Sequence, residues 1–411
     1  MYNEIKSCRI CGSQNLETIL NLGDQALTGV FPKTKKQKVG VMPLELVKCM
    51  GNCDLVQLKH TGNLSEFYGE NYGYRSGLNK SMVTHLHNKV KKILEIIKLE
   101  KGDLVIDIGS NDSTTLQAYP KTGLHLLGMD PTGVKFKEYY PDHIQLVADF
   151  FSSANVKKVF GNKPAKVITS FSMFYDLEDP TSFMRQVFEV LDQNGIWVFE
   201  QSYMPTMLQM NSYDTICHEH LEYYGLKQIK FMTDRVGFEI LDVEFNDING
   251  GSFSIVCAPK GSRLKAQTAK VNSILENERK LGLHTLKPYN EFKDRIHQQR
   301  ENLRKTLREL SQGGKKVYGY GASTKGNVLL QFCEISEREL PAIAEVNEDK
   351  FGSFTPGTLI PIISEQDAKK NKPDYFLVLP WHFRENILAR ETDYLKSGGK
   401  FLFPLPDIEA I

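Results

Sequence analysis

The chain has 411 residues, 41% of them apolar and 25% charged, with a formal net charge of +1. This is the composition of an ordinary globular chain, too long for one core, and roughly 100–200 residues per unit predicts two or three units. The charge balance excludes a broad nucleic-acid footprint, and no run approaches the ~20 apolar residues that span a bilayer. The start, "MYNEIKSCRICG", has no basic-then-apolar leader, so a cytoplasmic protein without nucleic-acid or membrane partners is the expectation.

Seven cysteines do not suit a disulfide framework, and four of them fall in two close pairs near the start. Cys8-x2-Cys11 and Cys49-x3-Cys53, 37 residues apart, supply four thiolates from two knuckles. Tetrahedral zinc takes such a set with no open position, which predicts a structural Zn2+ site. Apolar residues at Val83, Leu86, Val90, Ile93, Leu94 and Ile97 then recur at helical spacing and predict an amphipathic helix over about 79–98.

From "GDLVIDIGSND" onward, strand candidates ("HLLGMD", "AKVITSF", "GIWVFEQ", "GSFSIVCA") alternate with helical or turn segments. That pattern predicts a doubly wound α/β unit over about 100–260. In the first turn Asp107 ends a strand, Gly109 makes the turn and Asn111 stands where the dinucleotide pattern has glycine. Asp130, at the end of the next strand, is placed to take a ribose's hydroxyls. Asp149 and Phe150 in "VADFF" could lie along an adenine, and Asp107 could hold a positive charge. S-adenosylmethionine (SAM) fits this set better than a dinucleotide, whose pyrophosphate needs closer approach to the turn.

The charged stretch 264–312 reads as long connecting helices, and a second α/β alternation begins at "KKVYGYGASTKGN". Gly319, Gly321, Ser323, Lys325 and Asn327 would offer backbone N–H groups and one cation to an anion. Glu345 or Asn347, at the end of the next strand, would meet a ribose or base.

The segment "YDTICHEHLEYYG" holds His218, Glu219, His220 and Tyr224 just after a strand, where open α/β sheets bind ligands. The histidines lack the i,i+4 spacing of a helical metal pair, so proton transfer is the better chemistry, with His220 as base and Glu219 as partner. A turn or helix would have to bring Glu219 into range of its neighbour.

Taken in order, "CRICGSQNLETILNLGDQALTGVFP", "ENYGYRSGLNKSM", "DIGSNDS", "HEHLEYY", "GYGASTKGN" and "FTPGTLIPI" resemble one family over nearly the whole chain. It is the SAM-dependent C-methyltransferases of nucleotide-linked deoxy-keto-sugars. The resemblance implies an α/β protein: a class I methyltransferase Rossmann-like domain, an N-terminal zinc-binding region and a C-terminal Rossmann-like domain for the nucleotide-sugar. The expected boundaries are 1–65 for zinc, 66–99 for a helical connection with a substrate motif, 100–262 for SAM, 263–312 for a helical connector and 313–411 for the nucleotide-sugar.

By motif, His220 would remove the proton alpha to the ketone, with Glu219 and His218 beside it, Tyr72 or Tyr74 at the reacting sugar and Tyr224 near the substrate. Three departures stand out: Ser113 in "SNDS" where glycine is expected, Cys217 before "HEH" where tyrosine is expected, and Phe351 in "EDKFG" where a polar residue is usual. An O-methyltransferase on a similar sugar is the alternative, and a nicotinamide-dependent sugar oxidoreductase a more distant one.

Overall fold

The computed structural model describes residues 2–62 and 74–411, and the expected contact residue Tyr72 lies outside them. The N-terminal unit is built from β1 (Leu16–Ala26), β2 (Val41–Cys49) and β3 (Val56–Leu58), paired antiparallel. Next comes α1 (Lys80–Ile96), capped by Asn79, whose side chain accepts from the Ser81 N–H. Val90, Ile93 and the following Ile97 bury the predicted apolar stripe against the next sheet.

That sheet takes β4 (Leu104–Ile108), β5 (His125–Met129), β6 (Ile144–Val147), β7 (Ala165–Phe171) and β8 (Leu191–Ser202). Between them lie α2 (Ser153–Phe160) and α3 (Pro180–Val190), the latter started by Asp179 as N-cap and a proline in its first turn. The short β9 (Glu222–Tyr223) and α4 (Leu226–Val236) precede β10 (Phe238–Asn246) and β11 (Ser252–Pro259). The spatial order is β10-β11-β8-β7-β4-β5-β6, parallel except at β11, which runs against both neighbours. Order reverses between β4 and β7, which sets a ligand crevice at their carboxyl ends. The strands β6 and β10 escaped the sequence reading; "HIQLVA" is too short and "FEILDVEFN" too charged to stand out.

The charged stretch forms α5 (Thr268–Lys280) and the 26-residue α6 (Lys287–Gln312). Along α6, Tyr289, Phe292, Ile296, Gln299, Leu303 and Leu307 are buried at spacings of three and four, so one face packs inward. The last unit has β12 (Val317–Tyr320), α7 (Thr324–Phe332), β13 (Ile343–Glu345), β14 (Ile362–Ser364), β15 (Tyr375–Val378), β16 (Lys400–Phe403) and β17 (Glu409–Ala410). Its order, β14-β13-β12-β15-β16-β17, again reverses beside the first strand and is parallel except for β17.

One feature of the topology positions the site. β9 stands outside the seven-stranded sheet and pairs antiparallel with β3 as the fourth strand of the N-terminal sheet. One hydrophobic core runs from β1 and β2 through Tyr213, Ile216 and Cys217 to α6 and α7. The "HEHLEYY" segment is thus clamped among all three units.

Candidate active site

At the N-terminal end, the sulfurs of Cys8, Cys11, Cys49 and Cys53 all lie within 4.8 Å of one another. Contacts of 3.4 Å join Cys8 to Cys53, Cys11 to Cys49 and Cys53 to Cys11. Four thiolates at about 2.3 Å from zinc stand about 3.8 Å apart, so the cluster needs only slight expansion to hold the ion. The Gly12 N–H donates to the Cys8 carbonyl at 2.9 Å, and the Gly51 N–H points at Cys49 Sγ at 3.3 Å, which shapes both knuckles.

The first glycine turn comes next. Gly109, at φ +71, turns the chain out of β4, and its N–H bonds to the Met129 carbonyl of β5. Asp130 anchors the turn: its Oδ2 accepts from the Asn111 N–H at 2.8 Å, and its Oδ1 accepts from the Thr132 N–H and hydroxyl. A carboxylate offers about four acceptor positions, so one is left for a ribose hydroxyl where the sequence suggested two. Asp107 points into the sheet and accepts from Thr169 Oγ1 at 2.5 Å, and burial pushes its carboxyl up to about 7.

Asp149 is engaged by the Phe150 N–H and by Asn155, which leaves the Phe150 ring half exposed. The segment after the undescribed residues folds over the turn. Asn111 donates to the Tyr74 carbonyl and accepts from the Ser76 N–H, and Asp112 accepts from the Gly77 N–H. Ser113, at φ +64, keeps the left-handed geometry that glycine would adopt more easily, and its hydroxyl donates to the Tyr139 carbonyl. An open cleft of about 410 Å³ beside the turn is bordered by Arg75, Gly77, His87, Asp112, Gln117 and Tyr139.

The histidines separate sharply. His218 is wholly buried, its Nε2 sits 3.2 Å from the Met42 carbonyl, and burial pushes its pKa down to about 4. His220 is only partly buried; its Nδ1 lies 2.9 Å from the Thr215 carbonyl and its ring 4.2 Å from that of Tyr175. The expected Glu219–His220 pairing is not made. His218 and Glu219 lie in a turn closed by the His220 N–H on the Cys217 carbonyl at 3.1 Å, and Glu219 reaches the Thr28–Gly29 turn instead. A carbonyl only accepts, so Nδ1 of His220 carries the ring proton and Nε2 keeps a lone pair. Burial first, then the Lys325 charge, push the His220 pKa down to about 3. Tyr224 is fully buried against Phe174, without a partner for its hydroxyl among the described residues.

In the second glycine turn most of the expected ligand groups are occupied. Glu345 accepts from the N–H groups of Ala322, Val346 and Asn347, which folds the turn and does not present a free carboxylate to a ribose. A side chain at Gly319 would strike Ile343, so that glycine serves strand packing. Gly321, at φ +82, packs on Pro380. Ser323 caps α7 by accepting from the Gly326 N–H, Asn347 accepts from the Asp349 N–H, and buried Asn327 donates to the Thr28 carbonyl of the N-terminal unit. Lys325 alone turns toward the histidine loop. Sequence reasoning missed Asp214, Thr215, Tyr175 and Trp381, although Asp214 and Thr215 lie inside the segment singled out for its histidines.

Comparison with known proteins agrees with this arrangement along the chain. Residues 8–68 match a family described as "Putative zinc binding domain", residues 82–243 a "Methyltransferase domain" and residues 247–406 a "C-methyltransferase C-terminal domain". These domains make the chain a SAM-dependent methyltransferase, with transfer to carbon favoured. It is 29% identical to the C-methyltransferase NovU of Streptomyces niveus over 99% of this chain and 97% of that protein.

Solved structures align less well. The plantazolicin methyltransferase BpumL in complex with SAH is 10% identical, covering 43% of this chain and 82% of its own, with a TM-score of 0.35. A SAM-dependent methyltransferase from Clostridium acetobutylicum is 12% identical over 44% of this chain and 92% of its own, with a TM-score of 0.34. Likeness that low carries no argument about the site. The enzyme uses SAM and carries a zinc-binding domain whose cysteine cluster is Cys8, Cys11, Cys49 and Cys53.

Proposed function

We propose that this methyltransferase acts on the carbon alpha to the ketone of a nucleotide-linked deoxy-keto-sugar, with His220 as the base. The observation that carries the reading is the His220–Thr215 hydrogen bond, which leaves Nε2 unprotonated at the meeting point of the three units. SAM, when bound at the Gly109 turn, supplies an electrophilic methyl group. Asp130 has one acceptor position for its ribose, Phe150 a face for its adenine, and Asp107 a carboxylate that a nearby cation keeps ionised.

His220 takes the proton alpha to the ketone, and the carbon left behind is the nucleophile. A base held as low as about 3 is weak, but an anionic substrate raises its proton affinity through the Coulomb effect by which Lys325 lowers it. Tyr74, through its segment's bonds to Asn111, stands over the SAM turn, and Tyr72 precedes it in the same motif. His218 and Glu219 are assigned to holding the loop, since His218 is buried on the Met42 carbonyl and Glu219 reaches the Thr28–Gly29 turn of the N-terminal unit. The nucleotide is assigned to the carboxyl ends of the parallel sheet in the C-terminal unit, outside its glycine turn, whose groups are already engaged.

The test supplies SAM with a carbon-13 methyl group and a panel of GDP-, dTDP-, CDP- and UDP-linked 4-keto-6-deoxysugars, read by NMR. A new methyl signal in the carbon-bound range, absent with His220→Asn, supports the reading. A signal in the methoxy range overturns it in favour of O-methylation.

A further inference from the structure

Lys325 is the second residue of α7, in the C-terminal unit, yet its side chain leaves that unit. Its Nζ donates to the carbonyl of Asn249 at 2.9 Å, and Asn249 in turn donates to Ser172, just beyond β7 at the ligand end of the SAM sheet. Trp381 follows the same path: its ring lies 3.4 Å from where a side chain on Gly250 would begin, and its Nε1 donates to Asp214 at 2.8 Å. Asp214 adjoins Thr215, whose carbonyl holds His220. Lys325 therefore enters the histidine site as part of one wall.

The ammonium has three donors. Among the described residues one is used, and no carboxylate comes within ion-pair distance of it. A partly buried ammonium with a single hydrogen bond is costly, and such a group is commonly kept for a ligand's negative charge. The groups that feel its charge are Asp214, Cys217, His220 and His382, all around the histidine loop. A carboxylate in this set disfavours a dianionic diphosphate at the same point, whereas a single oxyanion on a sugar ring suits one ammonium on the wall of the His220 site.

We propose that Lys325 is a catalytic residue that donates to the oxygen of the substrate ketone and holds it as the enolate forms, and is not a diphosphate ligand. His220 Nε2 takes the alpha proton. The C–H electron pair becomes the C=C bond, and the carbonyl pair moves onto oxygen beside the ammonium, which stays protonated. The pair returns as the C=O bond re-forms and the carbon takes the methyl group; the methyl–sulfur pair stays on sulfur, and His220 releases its proton to solvent. The inference rests on the base reading above.

The experiment uses the zinc-loaded enzyme with S-adenosylhomocysteine in place of SAM. It follows by NMR the exchange of the alpha hydrogen of the same 4-keto-6-deoxysugar panel in D2O. Lys325→Met is expected to slow exchange at saturating sugar at least 100-fold and to leave the affinity for the free nucleoside diphosphates within twofold, with Lys325→Arg recovering part of the rate. Wild-type exchange in Lys325→Met, or a tenfold loss of nucleoside diphosphate affinity with exchange intact, overturns the inference and leaves the proposed function standing. No exchange by the wild-type enzyme with any panel member overturns both. In the substrate-free enzyme, the His220 imidazole of Lys325→Met should titrate at a higher pH than in wild type, and an unmoved midpoint overturns the placement of the charge.

Discussion

The two glycine turns of this chain are built alike and used differently. In each, a strand ends in a glycine at positive φ whose N–H bonds to the neighbouring strand: Gly109 to Met129 and Gly321 to Ala344. In each, an acidic residue ending that neighbour reaches back to a turn N–H, Asp130 to Asn111 at 2.8 Å and Glu345 to Ala322 at 2.7 Å. Asp130 keeps one acceptor position, and an open cleft lies beside its turn, bordered by Asp112. Glu345 spends itself on three backbone donors, its turn is packed on Pro380, and the residues that follow reach into other units. A shared supersecondary device does not carry its ligand with it; what the turn faces decides whether it binds or builds.

The largest expected effect separates the SAM turn from the assembly around it. Removing zinc with a chelator unfolds the knuckles, and with them the β3 edge on which Glu222 and Tyr223 pair. Arg9 goes too; it stands between two of the cysteines, donates to the Leu58 carbonyl and lies 3.6 Å from buried Glu222. Methyl transfer should fall by about 100-fold or more, since angstrom-scale misplacement of a catalytic group costs about that much. SAM affinity by calorimetry should change only a few-fold. Equal loss of both would show that the turn is not independent.

Asp130→Ala should weaken SAM binding by about 10- to 100-fold, as expected for hydrogen bonds to a charged group, while Glu345→Ala should leave it unchanged and lower thermal stability instead. A matched loss of SAM affinity in both would break the comparison. Next in size is a pH effect. The buried Asp107 carboxyl is raised to about 7, and a cation beside it favours the ionised form, so SAM affinity should fall as pH drops through that value. From pH 8 to pH 6 the ionised fraction drops about tenfold, and the affinity with it; Asp107→Asn should abolish the dependence.

The smallest effect is on stability. Alanine at either glycine must adopt positive φ, which costs about 1–2 kcal/mol. At Gly321 its Cβ would also stand 2.7 Å from the rigid Pro380 ring, whereas at Gly109 it meets a flexible Met173 side chain at 3.1 Å. Gly321→Ala should therefore lower the melting temperature more than Gly109→Ala.

Local relations were legible in the sequence and distant ones were not. The cysteine pairs, the Gly109 turn and the apolar stripe of α1 are written in spacings of a few residues, and each is in place in the structure. The pairing of Glu222–Tyr223 with Val56–Gln57 and the bond from Asn327 to Thr28 join segments far apart in the chain, with no periodic trace. The chemistry of His220 fell between these cases. Its loop was legible, but Glu219 was given the role of ring partner because it is next in sequence, when the turn at His218 and Glu219 sends it toward Thr28 and a carbonyl five residues back takes the ring N–H. Lys325 stood out as a cation in a phosphate-type turn, and only the packing of the C-terminal unit on the SAM sheet turns it toward the histidine.

The central claim is that a proton leaves the carbon that receives the methyl group. Its most direct test is a single turnover with the accepted keto-sugar deuterated at the position alpha to the ketone, with the product read by mass spectrometry and NMR. The account predicts that one deuterium is lost to solvent for each methyl transferred, with the new methyl group on the same carbon. A methylated product that retains all its deuterium would contradict it.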